Sequence, residues 1–394
     1  MKIAILTSGI LPVPAVKGGA VENLIDFYLQ YNDEHKLHDI TVYSIADEAA
    51  YHHPALQSKV NHYVFIDTNN ILAKIRKKLF CYLHFDDSQY YHYSIEYYLH
   101  QAIKYIRQNH YDVIILENRP AYALKLKKET QAKLVYHLHN RKLDNSTLSY
   151  QEIYDAASKI LTVSDFIKSQ VTTINPNDTK AITIHNGIDL TAFRRRSNKS
   201  RETIGIKNDD FLLVFSGRIN KEKGMIQLIE AMLRLKDKAQ IKLMVIGSSF
   251  YGNATSEDEF IKDLKTKAQA LKDRIIFTGF IPYSQIPDYL SMADVAVIPS
   301  VWDDPFPTTV LEAQAIGLPI ITTHRGGIPE EVTDKNAILL DTDEHFIDNL
   351  TSAILDLYEH TEKRQQMAMA SLEHAKLFDK ETYAKNVFKV IAEV

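Results

Sequence analysis

One pattern occurs twice in this chain and restricts its fold more than any other feature. It is a short apolar run, a glycine-containing loop and an amphipathic helical stretch, in that order. The first copy reads KIAILTS, GILPVPAVKGG, AVENLIDFYLQYN; the second, beginning at Phe211, reads FLLVFS, GRINKEKG, MIQLIEAMLRL. Apolar runs of this length that lead through a glycine turn into a helix open a βαβ unit, and such strands suit a parallel sheet covered by helices on both faces. The runs DITVYSI, DVIILE, KLVYHLH and KILTVS extend the first half, and IKLMVIG, RIIFTGF, DVAVIPS and LPIITT extend the second, with helical segments between them.

A single core rarely grows past roughly 250–300 residues, so 394 residues with two such openings make an α/β protein of two Rossmann-like domains. The strand AITIH gives way to a polar and basic stretch, NGIDLTAFRRRSNKS, which sets the domain break near Asp189. The expected division is 1–189, then 190–366, then a helical segment 367–394 without a strand that packs back on the first domain.

The charge balance of 46 cations against 50 acids gives a net charge of −4, too little for a surface-wide field that would hold nucleic acid. Cys81 is the only cysteine, so no disulfide can form within the chain. No run reaches the ~18 apolar residues of a spanning helix, and the N-terminal run reads as a buried strand rather than an export signal. A cytoplasmic protein is expected. ILAKIRKKLF at 71–80 has four cations among apolar residues at near-helical spacing, a pattern suited to peripheral contact with the inner face of the cell membrane or to an ordinary solvated surface helix.

Three segments carry chemistry. GRINKEKG at 217–224 turns at Gly217 and sets Arg218 and Lys223 near a helix start, where two cations can meet a diphosphate whose charge grows as a bond to it breaks. PSVWDDPFPTTVLEAQAIGLPI at 299–320 ends a strand, carries Asp304 in the loop and enters a helix near Thr308. The first N–H groups of that helix, from Thr308 and Thr309, face an anion well, and Glu312 one turn on has two oxygens suited to a ribose diol. In VKGGAVEN, Gly18 and Gly19 permit close backbone approach to a ligand, but the loop lacks the G-x-G-x-x-G fingerprint of dinucleotide-binding dehydrogenases. His137 and His139 lack a zinc spacing, and DTD at 341–343 reads as a turn with an N-cap, so no metal is expected.

Taken together, GRINKEKG, IIFTGFIP, PSVWDDPFPTTVLEAQAIGLPII and RGGIPEEV resemble, in order and spacing, the blocks of the retaining glycosyltransferases of family 4, with weaker counterparts in KGG, YHLHN, LTVSDFIKSQV and HNGID. The resemblance implies a GT-B fold, two Rossmann-like domains facing each other across a cleft, the first binding the acceptor and the second the nucleotide sugar. It implies that Arg218 and Lys223 hold the donor diphosphate, Glu312 the ribose, the backbone at Phe280 and Ile281 the base, and that His139 and Asp304 lie beside the donor sugar. It further implies transfer of a hexose-type sugar from a nucleoside-diphosphate donor, UDP favoured, to a carbohydrate or lipid-linked acceptor in cell-surface polysaccharide or glycoconjugate synthesis, with no cofactor or metal.

Two positions depart from the family pattern. Asp304 stands where the family carries Glu, and Pro307, which donates no N–H, stands where it often carries Gly. A non-catalytic binding subunit that keeps this fold and a nucleotide-sugar epimerase of similar shape are the alternative readings.

Overall fold

The computed structural model describes residues 1–76, 93–196, 199–248 and 259–394. The chain divides into two units, residues 1–185 with 383–394, and residues 186–382.

In the first unit seven strands form one sheet in the order β3-β2-β1-β4-β5-β6-β7, every pairing parallel. They are β1 (Lys2–Leu6), β2 (Asp39–Ile45), β3 (Asn61–Ile66), β4 (Val113–Glu117), β5 (Lys133–Leu138), β6 (Ala157–Thr162) and β7 (Ala181–Thr183). The second unit has six, β8 (Phe211–Ser216), β9 (Ile241–Ile246), β10 (Ile275–Gly279), β11 (Val295–Val297), β12 (Ile320–Thr323) and β13 (Ala337–Leu340), in the order β10-β9-β8-β11-β12-β13 and again wholly parallel. The central strands are buried on both faces, as the uninterrupted apolar runs require; Ile3, Ile5, Leu213 and Val245 have no exposed surface.

Each sheet has one place where the strand order turns back, between β1 and β4 and between β8 and β11. Beyond the carboxyl ends of such a strand pair the connections depart to opposite sides, leaving a crevice where ligands of open α/β sheets bind. The glycine loops singled out above follow β1 and β8, so each lies at one of these two crevices.

The division differs from the expected one at two places. The break falls between His185 and Asn186 rather than at Asp189. The amide of Asn186 donates to Phe306 O at 2.9 Å, Ile188 N donates to Phe378 O at 2.8 Å and Asp189 accepts from Lys380 at 2.7 Å, so HNGID is bonded into the second unit. Residues 367–382 also belong to the second unit: Met367 joins its core, and Ser371 Oγ donates to Leu318 O at 2.7 Å. Only 383–394 lie with the first unit, where Tyr383, Ala384, Val387, Phe388 and Ile391 form one apolar helical face, with Phe388 edge-on to Tyr28 at 5.9 Å. Helical periodicity shows which face of a helix is apolar, not which sheet it meets.

Residues 71–76 are helical, with Ile71, Leu72 and Ile75 exposed and Ala73 buried; 77–80, the remainder of the basic stretch, lie outside the described residues. Tyr98 is a core residue whose hydroxyl donates to Tyr43 O at 2.6 Å and accepts from Thr7 N at 3.0 Å. Among the described residues no helix is long and apolar enough to cross a membrane.

Gly224 ends the loop after β8 with φ +71°, and a Cβ there would overlap the carbonyl oxygen of Pro299 in the segment that follows β11. The backbones of the two loops at this crevice therefore touch. Gly224→Ala is expected to destabilise the second unit by about 2 kcal/mol or more, measured by denaturant unfolding; wild-type stability would show that the two loops can part without cost.

Candidate functional site

The second unit brings most of the anticipated residues to its crevice. After Ser216 the chain turns at Gly217, passes Arg218, which is exposed, and forms a short 3-10 turn, Lys221–Lys223, whose start is capped by the Asn220 side chain accepting from Lys223 N at 3.1 Å. Val301 N donates to Glu222 O at 2.9 Å, fastening this loop to the segment that follows β11. There the Lys223 ammonium forms an ion pair with Asp304, whose side chain is 6% exposed. Asp304 is also held through its backbone, its carbonyl accepting from Gly327 N at 2.7 Å.

The helix Thr308–Ile316 begins where the sequence places it, directly after Pro307, and no side chain caps its first turn. Thr308 and Thr309 therefore open a positive helix end at the crevice. Glu312, on the same helix, is buried; burial raises its carboxyl to about 8, opposed by a hydrogen bond from Thr308. At neutral pH it is largely a neutral acid, able both to donate to and accept from a diol. Phe280 and Ile281 are half-buried and follow β10, at one edge of the sheet.

Sequence reasoning missed Glu331. It is fully buried, neither carboxylate oxygen has a hydrogen-bond partner, and burial together with the Asp304 charge raises it well above the carboxylate range, with Lys223 opposing. The motif RGGIPEEV contains it, but nothing in the pattern separates it from half-buried Glu330.

The first unit assembles a second polar group at its own crevice. His139 follows β5, and its Nε2 lies 2.8 Å from Oε2 of Glu117, the last residue of β4. His137 Nδ1 lies 3.2 Å from Oε1 of the same carboxylate, and the Tyr28 hydroxyl donates to that oxygen at 2.8 Å. Burial alone would raise Glu117, but the two histidines outweigh it and hold the carboxyl well below the ordinary range. Burial lowers His139 to about 4, assisted by His137 and opposed by Glu117, so its imidazole is neutral at physiological pH. One atom from each of Glu117, His137 and His139 lies within 4.8 Å of the others, a grouping that could hold a metal ion and that the HLH spacing alone did not show. The sequence signal for Glu117 is an acid closing the otherwise apolar run DVIILE.

Gly18 and Gly19 lie nearby at positive φ. Gly18 has open space where a side chain would be, as close ligand approach requires, while a Cβ on Gly19 would overlap the Glu22 carboxylate. Glu22 is itself buried and raised to about 7 by that burial, a site residue the sequence reading did not single out.

With these two sites in place, comparison with known proteins is decisive. Residues 196–374 match the family model described as glycosyl transferases group 1, and residues 82–192 match the one described as glycosyltransferase family 4. The candidate glycosyltransferase YtcC of Bacillus subtilis is 30% identical over 346 residues, covering 84% of this chain and 77% of that protein. The chain belongs to glycosyltransferase family 4. Spore coat protein SA of the same organism is 28% identical over 99% of both chains. Among solved structures, HepE of Anabaena in complex with UDP has a TM-score of 0.74 at 21% identity, each chain covered completely. The fold is thus GT-B, built of two parallel α/β domains.

Within this glycosyltransferase the family departures take a definite form. Asp304, though a methylene shorter than Glu, reaches Lys223, and Pro307 leaves the positive helix end to begin at Thr308. The acid Glu312 also leaves a mark on stability. Its folded value of about 8 exceeds the ordinary 4.5, so the folded state retains a proton that the unfolded state releases, and this contribution is lost as pH rises toward about 8. Melting temperatures of wild type and Glu312→Gln, compared from about pH 6 to about pH 9, are expected to shift in favour of the variant as pH rises. Parallel pH curves would show that Glu312 is ionised in the folded protein.

Proposed function

We propose that this glycosyltransferase moves a hexose-type sugar from a nucleoside-diphosphate donor, with UDP favoured, to a carbohydrate or lipid-linked acceptor, with retention of anomeric configuration. The observation that carries the proposal is the second unit's crevice, where Arg218, Lys223 and the uncapped start of the helix Thr308–Ile316 gather positive charge beside a buried, protonated Glu312. That set suits a diphosphate joined to a ribose. The structural likeness to HepE, solved with UDP, supports the choice of base, and the likeness to a spore coat protein supports a role in surface glycoconjugates.

In this reading the donor diphosphate competes with Asp304 for Lys223. As the glycosidic bond lengthens, negative charge gathers on the departing phosphate oxygen, and Arg218, Lys223 and the N–H groups of Thr308 and Thr309 stabilise it. Asp304, released from Lys223, is then an acceptor for a donor-sugar hydroxyl, and Phe280 and Ile281 meet the base through their backbone. Retention follows if the acceptor hydroxyl attacks from the face the diphosphate leaves and gives its proton to the departing oxygen. These cations supply the charge that a metal supplies elsewhere, so the reaction needs none.

The reading places the reaction in the cytoplasm. The exposed Ile71, Leu72 and Ile75 support peripheral contact with the membrane that would present a lipid-linked acceptor.

Lys223→Ala is expected to keep the fold and lose about 10²–10³-fold or more in kcat, read as UDP release in the presence of acceptor. Turnover at the wild-type rate would remove Lys223 from the mechanism. Anomeric proton couplings of the product, recorded before it equilibrates, check retention separately; inversion would refute same-face attack.

A further inference from the structure

We infer that Glu117 is a positioning residue for His139: it fixes the imidazole with its hydrogen on Nε2, so that Nδ1 is left as a hydrogen-bond acceptor for a ligand hydroxyl.

The argument starts from what a carboxylate can do. An ionised carboxylate has no hydrogen to give, so every group within hydrogen-bond distance of it must bring one. Glu117 accepts from the Tyr28 hydroxyl at 2.8 Å, from His137 Nδ1 at 3.2 Å and from His139 Nε2 at 2.8 Å. A neutral imidazole carries one hydrogen. With Nε2–H committed to Glu117, Nδ1 of His139 is a bare lone pair, and it is buried without a partner.

The rest of the ring's setting is equally fixed. The backbone N–H of His139 donates to Asn118 Oδ1 at 3.2 Å, and Asn118, in the left-handed region at φ +57°, returns its own N–H to His137 O at 2.8 Å. Glu22 is a second buried acid of this unit, raised to about 7 by burial first and by the Glu117 charge as a lesser cause. Tyr383 stacks beside His137 at 6.3 Å, and its hydroxyl has no partner. Within the cluster, His137 Nε2, His139 Nδ1 and the Tyr383 hydroxyl are buried without a partner. A buried acceptor left unpaired is costly, and a ligand hydroxyl that donates to it recovers that cost.

The inference rests on the proposed function for the chemical class of the ligand, a sugar, and adds a direction: the sugar hydroxyl donates and His139 accepts. With Nε2–H held by Glu117 at 2.8 Å, a neutral His139 has no second hydrogen to offer a ligand from Nδ1. Glu117 then acts as outer-shell carboxylates do on histidines elsewhere, by choosing the tautomer and the ring orientation.

The test is the tautomer itself. Nitrogen-15 spectra of histidine-labelled full-length protein, with the His139 signals identified by their loss in His139→Gln, report which ring nitrogen carries hydrogen. The wild type is expected to show Nε2–H and a bare Nδ1 near neutral pH, whether or not any sugar is transferred. An Nδ1–H form, which is also the form left if the cluster held a metal through Nε2, overturns the proposal, and so does an imidazolium. Glu117→Gln is expected to give a mixture of tautomers and a fall in kcat of about 10–100-fold, with the donor KM changed far less. A fall in kcat with the His139 tautomer unchanged would assign Glu117 a structural role and overturn the proposal. Should Glu117→Gln not fold, the wild-type spectrum decides. A wild-type protein with the expected tautomer but no transfer from any nucleotide sugar would instead count against the proposed function.

Discussion

The reversal of strand order beside the first strand of each sheet governs where chemistry can occur in this protein. A parallel sheet hides its strands beneath helices, and the crevice at a reversal is where the carboxyl ends of two strands open between diverging connections. The chain uses the constraint twice. The loop after β8 and the segment after β11 are fastened by the bond from Val301 N to Glu222 O, and those after β4 and β5 by Glu117, Asn118 and His139. Side chains more than 80 positions apart, Lys223 and Asp304, meet for no reason other than topology.

The two crevices solve the problem of buried acid groups differently. In the first unit one carboxylate stays ionised because three hydrogens point at it, and each imidazole is fixed by the same contact. In the second unit Asp304 is paired with Lys223, while burial presses Glu312 and Glu331 toward their neutral forms. An isolated buried carboxylate is costly, so protonation is the cheaper state where no cation is at hand. The second unit's crevice therefore holds one compensated pair and two neutral acids. An arriving dianionic group gains Arg218, Lys223 and the helix start with little repulsion to overcome.

How much of this was legible in the sequence depended on whether a feature is local. The strand–loop–helix copies at residues 2 and 211, the helix start at Thr308 and the glycine turn after β8 are short-range patterns, and the structure has all of them. The domain boundary was misplaced by four residues because HNGID is retained by Phe306, Phe378 and Lys380, partners far along the chain. Residues 367–382 were assigned away from the second unit for the same reason, and the N-cap read into DTD falls instead at His345. Among site residues, the cations and Glu312 stood out by type and spacing. Glu22, Glu117 and Glu331 did not, since an acid at the end of an apolar run or after a proline looks like a surface residue until the fold buries it. Their importance comes from burial, which only tertiary structure supplies.

The central claim is that the second unit's crevice is a nucleoside-diphosphate site, and calorimetric titration of the full-length protein with UDP tests it most directly. The account predicts saturable binding of one UDP per chain that weakens as salt rises, because two cations and a helix end carry much of it. Absence of binding by UDP and by the other nucleoside diphosphates, in protein shown to be folded, would contradict it.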